Sequence, residues 1–245
     1  MEKNNKVIMI AGPCAVETKT QFFETINHIY KYTDIIRCGV WKARTSPHSY
    51  SGKGQEALPW IQQASKKFNT PFAIEVGNKK HIQAALKHNI NIFWVGARTT
   101  ANPFAIQEIS EAIKGLKVEI WLKNPIIPDL ALWFGAVERF KINKVGNLKV
   151  IHRGFFSEKK SKYRNAPKWD LLKKFTKKYP NIPIICDPSH IAGKSNLVNE
   201  IAQKAIKMDI KNLMIEVHNN PSQALSDAQQ QLTPVEYIKL INQLN

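Results

Sequence analysis

Eight short apolar runs recur along the chain, and nearly every one ends on a residue that can do chemistry. Residues 7–10 lead to Cys14, 35–41 to Lys42, 72–74 to Glu75 and 92–95 to Arg98. Residues 118–122 lead to Lys123, 150–151 to Arg153, 182–186 to Asp187 and His190, and 213–215 to Glu216. Segments of helical periodicity separate them at 18–30, 55–68, 79–88, 103–114, 128–140, 167–178, 196–207 and 223–232, with a last one at 234–244. Strands alternating with helices in this way predict an α/β chain folded as a (β/α)8 TIM barrel. In that fold the C-terminal strand ends converge on one mouth, where catalytic side chains gather. The pattern therefore predicts an enzyme site holding a thiol, a histidine, carboxylates and several cations.

The 245 residues suit a single barrel spanning 1–245 and leave no room for a second large domain. No apolar run approaches about 20 residues, so no transmembrane helix and no membrane partner are expected. Residues 1–6 run straight towards the first strand without the apolar core of a signal peptide. Cys14, Cys38 and Cys186 are too scattered for a disulfide framework, and the expected location is cytoplasmic.

A net charge of +17 raises a nucleic-acid reading. However, 30 of the 36 basic residues are lysines spread over helix surfaces, with no aromatic-interleaved stripe. That is a solvated face, and no nucleic-acid partner is expected. The arginines are placed differently. Of six, Arg37, Arg44, Arg98 and Arg153 lie in or just after predicted strands, and only Arg139 and Arg164 fall elsewhere. A guanidinium is a rigid fork that matches phosphate or carboxylate bidentately. Several forks at one mouth imply small substrates carrying multiple negative charges.

Two groups of residues carry the chemistry. Cys14, His190, Glu216 and Asp227 offer a thiolate, an imidazole and two carboxylates, a mixed set suited to a borderline divalent ion such as Mn, Fe, Co or Zn. Closing the barrel brings the eighth strand beside the first, and so brings these residues together. The second group is cationic. Arg37 and Lys42 flank the second strand, and Arg44, Thr45 and Ser46 form a phosphate cradle. Gly96, Ala97 and Arg98 end the fourth strand, Lys123 the fifth and Arg153 the sixth. Two connections, 43–54 and 154–166, are long enough to be substrate loops. Lys159, Lys160, Lys162 and Arg164 make the second basic enough to draw in anions.

These segments resemble the type I 3-deoxy-7-phosphoheptulonate (DAHP) synthases. The matching pieces are Ala11-Gly12-Pro13-Cys14, Trp41-Lys42-Ala43-Arg44-Thr45-Ser46-Pro47, Val95-Gly96-Ala97-Arg98-Thr99 and Leu122-Lys123-Asn124-Pro125. They continue in order through His152-Arg153-Gly154, Cys186-Asp187-Pro188-Ser189-His190, Ile215-Glu216-Val217-His218 and Leu225-Ser226-Asp227. The stretch from Gly96 to Phe104 is most similar to the branch often fused to a C-terminal chorismate mutase domain, and this chain stops where such a domain would begin. The resemblance implies condensation of phosphoenolpyruvate with erythrose 4-phosphate, the first step of the shikimate pathway. It implies a divalent metal on Cys14, His190, Glu216 and Asp227. Arg98, Lys123 and Arg153, with Gly96 and Ala97, would bind the phosphate of phosphoenolpyruvate, and Arg37 with Lys123 its carboxylate. Lys42 would be the proton donor, Glu75 would position water, and Asp187 and His190 would complete the catalytic group. Arg44, Thr45 and Ser46 would hold the sugar phosphate. The family usually has Pro at position 43, where this chain has Ala43. A homo-oligomer is implied, and a separate chorismate mutase is a candidate partner.

The nearest alternative is 3-deoxy-octulosonate 8-phosphate synthase, which uses arabinose 5-phosphate. Its Asn-rich Lys-Ala-Asn-Arg loop is absent, and Lys42-Ala43-Arg44-Thr45-Ser46 is of the erythrose-phosphate type. A barrel that also acts as a scaffold for a separate mutase is a further alternative.

Overall fold

A computed structural model describes residues 6–244. Residues 1–5, part of the lead into the first strand, lie outside the described residues. Eight parallel strands form a closed barrel in chain order. They are β1 (Ile8–Gly12), β2 (Ile35–Cys38), β3 (Phe72–Val76), β4 (Ile92–Val95), β5 (Glu119–Lys123), β6 (Asn147–His152), β7 (Ile184–Cys186) and β8 (Asn212–Glu216). Gly12 pairs with Glu216 where β1 meets β8, which closes the circle. The (β/α)8 expectation is met.

The helices are α1 (Lys19–Ile29), α2 (Leu58–Phe68), α3 (Lys79–Leu86), α4 (Ala97–Thr100), α5 (Pro103–Ala112), α6 (Leu130–Ile142), α7 (Trp169–Lys178), α8 (Pro188–Ala192), α9 (Ser195–Lys207) and α10 (Pro234–Leu244). Local chemistry sets their starts. Thr18 caps α1 by accepting the Gln21 N–H, Asn102 caps α5 before Pro103, and Asp129 caps α6. Each such cap contributes about 1 kcal/mol.

Three differences from the sequence reading have physical causes. The second strand stops at Cys38, not Trp41, because the Val40 carbonyl accepts the Gly54 N–H and the Lys42 N–H donates to Ser51. The backbone has already left the ladder for its loop. The helix expected at 223–232 does not form. Instead, one 3-10 turn, Pro221–Gln223, ends where it would begin and a second, Ala228–Gln230, follows Asp227 at φ 51°. A left-handed residue ends any right-handed helix through it. Finally, α4 and α8 are additional short helices at strand ends, too short to show a period.

There are two cores. Side chains on alternate strand positions point to opposite faces. Those pointing outward pack against the helices, whose largest buried side chains include Phe22, Trp133, Phe140 and Phe175. Those pointing inward fill the barrel with Ile10, Ala73, Trp94, Trp121, Ile151, Ile185 and Met214. That plug gives the site a solid floor.

Candidate active site

Two positions beyond each inward residue, every strand places a residue of the mouth. Ile10 is followed by Gly12, Ile35 by Arg37, Ala73 by Glu75 and Trp94 by Gly96. Trp121 is followed by Lys123, Ile151 by Arg153, Ile185 by Asp187 and Met214 by Glu216. The strand period of two therefore stacks a charged ring on the apolar plug. Three cations face three carboxylates, and the two glycines leave gaps. One gap has a clear use: a Cβ on Gly96 would lie 2.2 Å from Glu75 Oε1, so only glycine admits that carboxylate.

Four of the six charges in the ring are buried in ion pairs. Arg37 Nη1 donates to Glu216 Oε1 at 2.6 Å, and its guanidinium lies 4.8 Å from the Trp94 ring centre. Its Nη2 donates to the Cys14 carbonyl at 3.4 Å, while Nε has no partner. Lys123 Nζ is 2.9 Å from Asp187 Oδ2, and the same oxygen lies 2.9 Å from His190 Nδ1. Burial opposes ionisation of Asp187, but His190 and Lys123 prevail and hold it well below the usual carboxylate range. Asp187 also caps α8 by accepting the His190 N–H, so one carboxylate sets both the backbone and the ring of His190. With Nδ1 committed to Asp187, Nε2 is the nitrogen left to face the site.

Loop residues form a second layer. Cys14 Sγ lies 3.3 Å from Asp227 Oδ2, 3.1 Å from Ser226 Oγ and 3.2 Å from Lys42 Nζ. Ligand atoms of Cys14, Glu216 and Asp227 all fall within 4.8 Å of one another. His190 stands beside this trio, with Nε2 3.9 Å from Asp227 Oδ2 and Nδ1 3.9 Å from Glu216 Oε1. The thiol and the imidazole thus approach the same Asp227 oxygen. Burial, then the Glu216 charge, push the Cys14 thiol up to about 12. Glu216 and Asp227 are also disfavoured by burial, but His190 with Arg37 and Arg164, respectively, hold both below the normal range. The result is a protonated soft donor beside two anionic hard donors, an environment that a divalent cation would complete.

A cavity of about 300 Å³ opens above these groups. Lys42, Arg44, Arg98, Lys123, Arg153 and Arg164 supply its positive lining, and Glu75, His190 and Asp227 border it. Gly96 and Ala97 form its wall at the start of α4. Arg98 is exposed and donates from Nε to Thr45 Oγ1 at 3.1 Å, so the cradle after β2 leans on the end of β4. Arg44 donates to the Tyr50 carbonyl and to Ser226 Oγ. Ser46 is exposed and turns its hydroxyl to the His48 N–H. Arg37, Cys14, Asp187 and Glu216 lie beneath the cavity as its buried support.

Sequence reasoning missed several members. Arg164, set apart from the strand-end arginines, reaches the site and pairs with Asp227 at 2.9 Å. In the sequence it stands only as one of four basic residues in the long 154–166 loop, with no role of its own. Asn165 joins the Arg153 guanidinium (2.8 Å) to the His190 carbonyl (2.7 Å). Asn124 holds the Arg153 N–H at 2.8 Å. Gln230 donates to Glu216 Oε2 at 2.6 Å. None of these carries a charge that periodicity would single out, apart from Arg164.

A closed (β/α)8 barrel with a cationic cavity over a thiol, imidazole and carboxylate cluster defines an anion-handling barrel enzyme. The family model described as DAHP synthetase I family matches residues 2–245. The phospho-2-dehydro-3-deoxyheptonate aldolase of Thermotoga maritima is 27% identical over 244 residues, covering 98% of this chain and 70% of that protein. A 2-dehydro-3-deoxyphosphooctonate aldolase of Brucella canis is 25% identical over 246 residues, covering 89% of this chain and 82% of that protein. The crystal structure of the Thermotoga maritima aldolase (DAHP synthase) superposes with a TM-score of 0.87 at 24% identity, covering 98% of this chain and 68% of that one. A truncated form of 3-deoxy-D-arabino-heptulosonate 7-phosphate synthase from the same organism gives 0.82 at 23%, covering 98% and 86%. The chain belongs to the DAHP synthetase I family.

Proposed function

We infer that the chain condenses phosphoenolpyruvate with erythrose 4-phosphate and water, giving 3-deoxy-D-arabino-heptulosonate 7-phosphate and inorganic phosphate, the first step of the shikimate pathway. Family membership and the relative named as a phospho-2-dehydro-3-deoxyheptonate aldolase support this transferase reading. The observation that carries it at atomic level is the cavity with six cations, bordered by His190 and Asp227, whose cluster with Cys14 and Glu216 it adjoins. Two anionic substrates side by side repel unless fixed charges hold them, and holding them makes a bimolecular step nearly unimolecular.

Arg98, Lys123 and Arg153, with the Gly96–Ala97 backbone, take the phosphate of phosphoenolpyruvate. Arg37 and Lys123 take its carboxylate, and the Arg37 Nε is the nitrogen still lacking a partner. Arg44, Thr45 and Ser46 take the sugar phosphate. The new carbon–carbon bond forms between the enol carbon and the aldehyde carbon, and Lys42 delivers a proton to the aldehyde oxygen. Glu75, seated against Gly96, orients the water that adds at the neighbouring carbon before the carbon–oxygen bond to phosphate breaks. Asp187 keeps the His190 ring in place. Cys14, His190, Glu216 and Asp227 would hold a divalent ion (Mn, Fe, Co or Zn), which when bound supplies Lewis-acid polarisation of the aldehyde.

The same reading treats 1–245 as one catalytic unit in the branch often fused to a chorismate mutase. It works in the cytoplasm as a homo-oligomer, with a separate chorismate mutase as candidate partner. No helix among the described residues is long and apolar enough to cross a membrane. The deciding experiment offers phosphoenolpyruvate with either erythrose 4-phosphate or arabinose 5-phosphate and follows phosphate release. Release should depend on erythrose 4-phosphate; a preference for arabinose 5-phosphate would assign the octulosonate reaction instead.

A further inference from the structure

The loop after β8 leaves the barrel at Val217 and returns to pair with it at Leu232. The Leu232 N–H donates to the Glu216 carbonyl (2.8 Å) and the His218 N–H to the Leu232 carbonyl (2.9 Å), closing its base. Gln231, 1% exposed, sits at that base. Its Oε1 accepts the Cys14 N–H at 3.0 Å, and its Nε2 donates to the Ser226 carbonyl at 2.9 Å. Cys14 and Asp227 both lie beyond their strands, where no ladder bonds hold them. One side-chain amide therefore spans the two segments that carry the thiol and the Asp227 carboxylate. Next to it, Gln230 spends its own amide on Glu216 Oε2 (2.6 Å) and on Arg164 (2.8 Å).

We propose that Gln231 is a positioning residue of the metal site, clipping the Cys14 backbone to the Ser226–Asp227 segment so that thiol and carboxylate are aligned before a cation arrives. The inference rests on the metal reading given above. The partners dictate the residue type. The Cys14 N–H can only donate and the Ser226 carbonyl can only accept, so the position needs an acceptor and a donor in one plane. Glutamate would keep the first bond and set an oxygen against the Ser226 carbonyl. Methionine would keep the volume and make neither bond. Supporting residues outside the ligand set commonly tune metal affinity about 10- to 100-fold.

The test titrates cobalt(II) into metal-free wild type, Gln231→Glu, Gln231→Met and Cys14→Ala. It follows the near-ultraviolet thiolate-to-cobalt band, with circular dichroism as the check on folding. Wild type should develop the band and Cys14→Ala should not. Both Gln231 variants should bind cobalt about 10- to 100-fold more weakly, with a diminished or shifted band, at unchanged dichroism. Should Gln231→Met fail to fold, Gln231→Glu decides, since it keeps the size and the bond to Cys14. Wild-type affinity and an unchanged band in the folded variants overturn the inference and leave the metal site standing. Absence of the band in wild type overturns the metal reading and this inference with it.

Discussion

The ring at the strand ends and the loop layer above it share one mouth but are built differently. Arg37, Lys123, Asp187 and Glu216 in the ring are at most 5% exposed, and each has a charged partner within 3 Å. Thr45, Ser46 and Arg98 in the loop layer are exposed, and Arg98 leans on a neutral hydroxyl. Burying ion pairs is costly, and apolar replacements of the same shape are often as stable. The ring is therefore better explained by preorganisation than by stability: its charges are fixed before substrate arrives. These exposed side chains lose rotamer freedom when they grip a ligand, at about 1–2 kcal/mol for each long side chain immobilised.

The contrast can be broken first at the proposed metal ligands. Cys14→Ala and His190→Ala should leave a folded protein with little bound metal. Their kcat/KM should fall by more than about 100-fold, beyond what supporting residues alone contribute. Full metal content and turnover in both variants would remove the proposed site.

Next comes the ring's own pairing. Lys123→Met removes the ammonium that pairs with the buried Asp187 carboxylate, and should destabilise the fold by about 3–5 kcal/mol in urea unfolding. Adding Asp187→Asn should recover much of that loss, because the stranded charge is gone. Equal stability of the single and double variants would contradict the pairing.

A third test uses acid. Burial lowers the His152 pKa from 6.5 to about 3, so its native ring stays neutral while the unfolded ring takes up a proton. Its contribution is fully present above pH 6.5 and is lost as pH falls from there towards 3, by about 1.4 kcal/mol for each unit. The loss between pH 6.5 and 4.5, above the range of ordinary carboxylates, should be much smaller in His152→Gln.

The smallest effect on stability belongs to the loop layer. Arg98→Ala should change stability by less than about 0.5 kcal/mol. It should raise the KM for phosphoenolpyruvate about 10- to 100-fold, the value of one charged hydrogen bond. An unchanged KM and kcat would take Arg98 out of the site.

The same contrast explains what was legible in the sequence. The ring is readable because strand alternation places Arg37, Glu75, Lys123, Asp187 and Glu216 at fixed offsets from apolar residues. The supports are not. Gln230 and Gln231 share the 223–232 segment with Leu225 and Leu232, a spacing that mimics a helix, yet their amides are committed to partners distant in the chain. Arg164 lies among lysines in a long loop, and only the folded backbone shows why it reaches Asp227. Its N–H donates to the Ala192 carbonyl, and Gly193 at φ 71° leaves space where a Cβ would lie 2.2 Å from the Arg164 Cβ. Long-range side-chain bonds leave no local period, so these parts of the site emerge only in three dimensions.

The central claim is that the thiol, imidazole and carboxylates work as one metal centre beneath the cationic cavity. Phosphate release from phosphoenolpyruvate and erythrose 4-phosphate, measured before chelation, after chelation and after adding back a divalent ion, tests it most directly. The account predicts that chelation abolishes release and that add-back restores it in wild type but not in Cys14→Ala. Undiminished release from thoroughly chelated protein would contradict it.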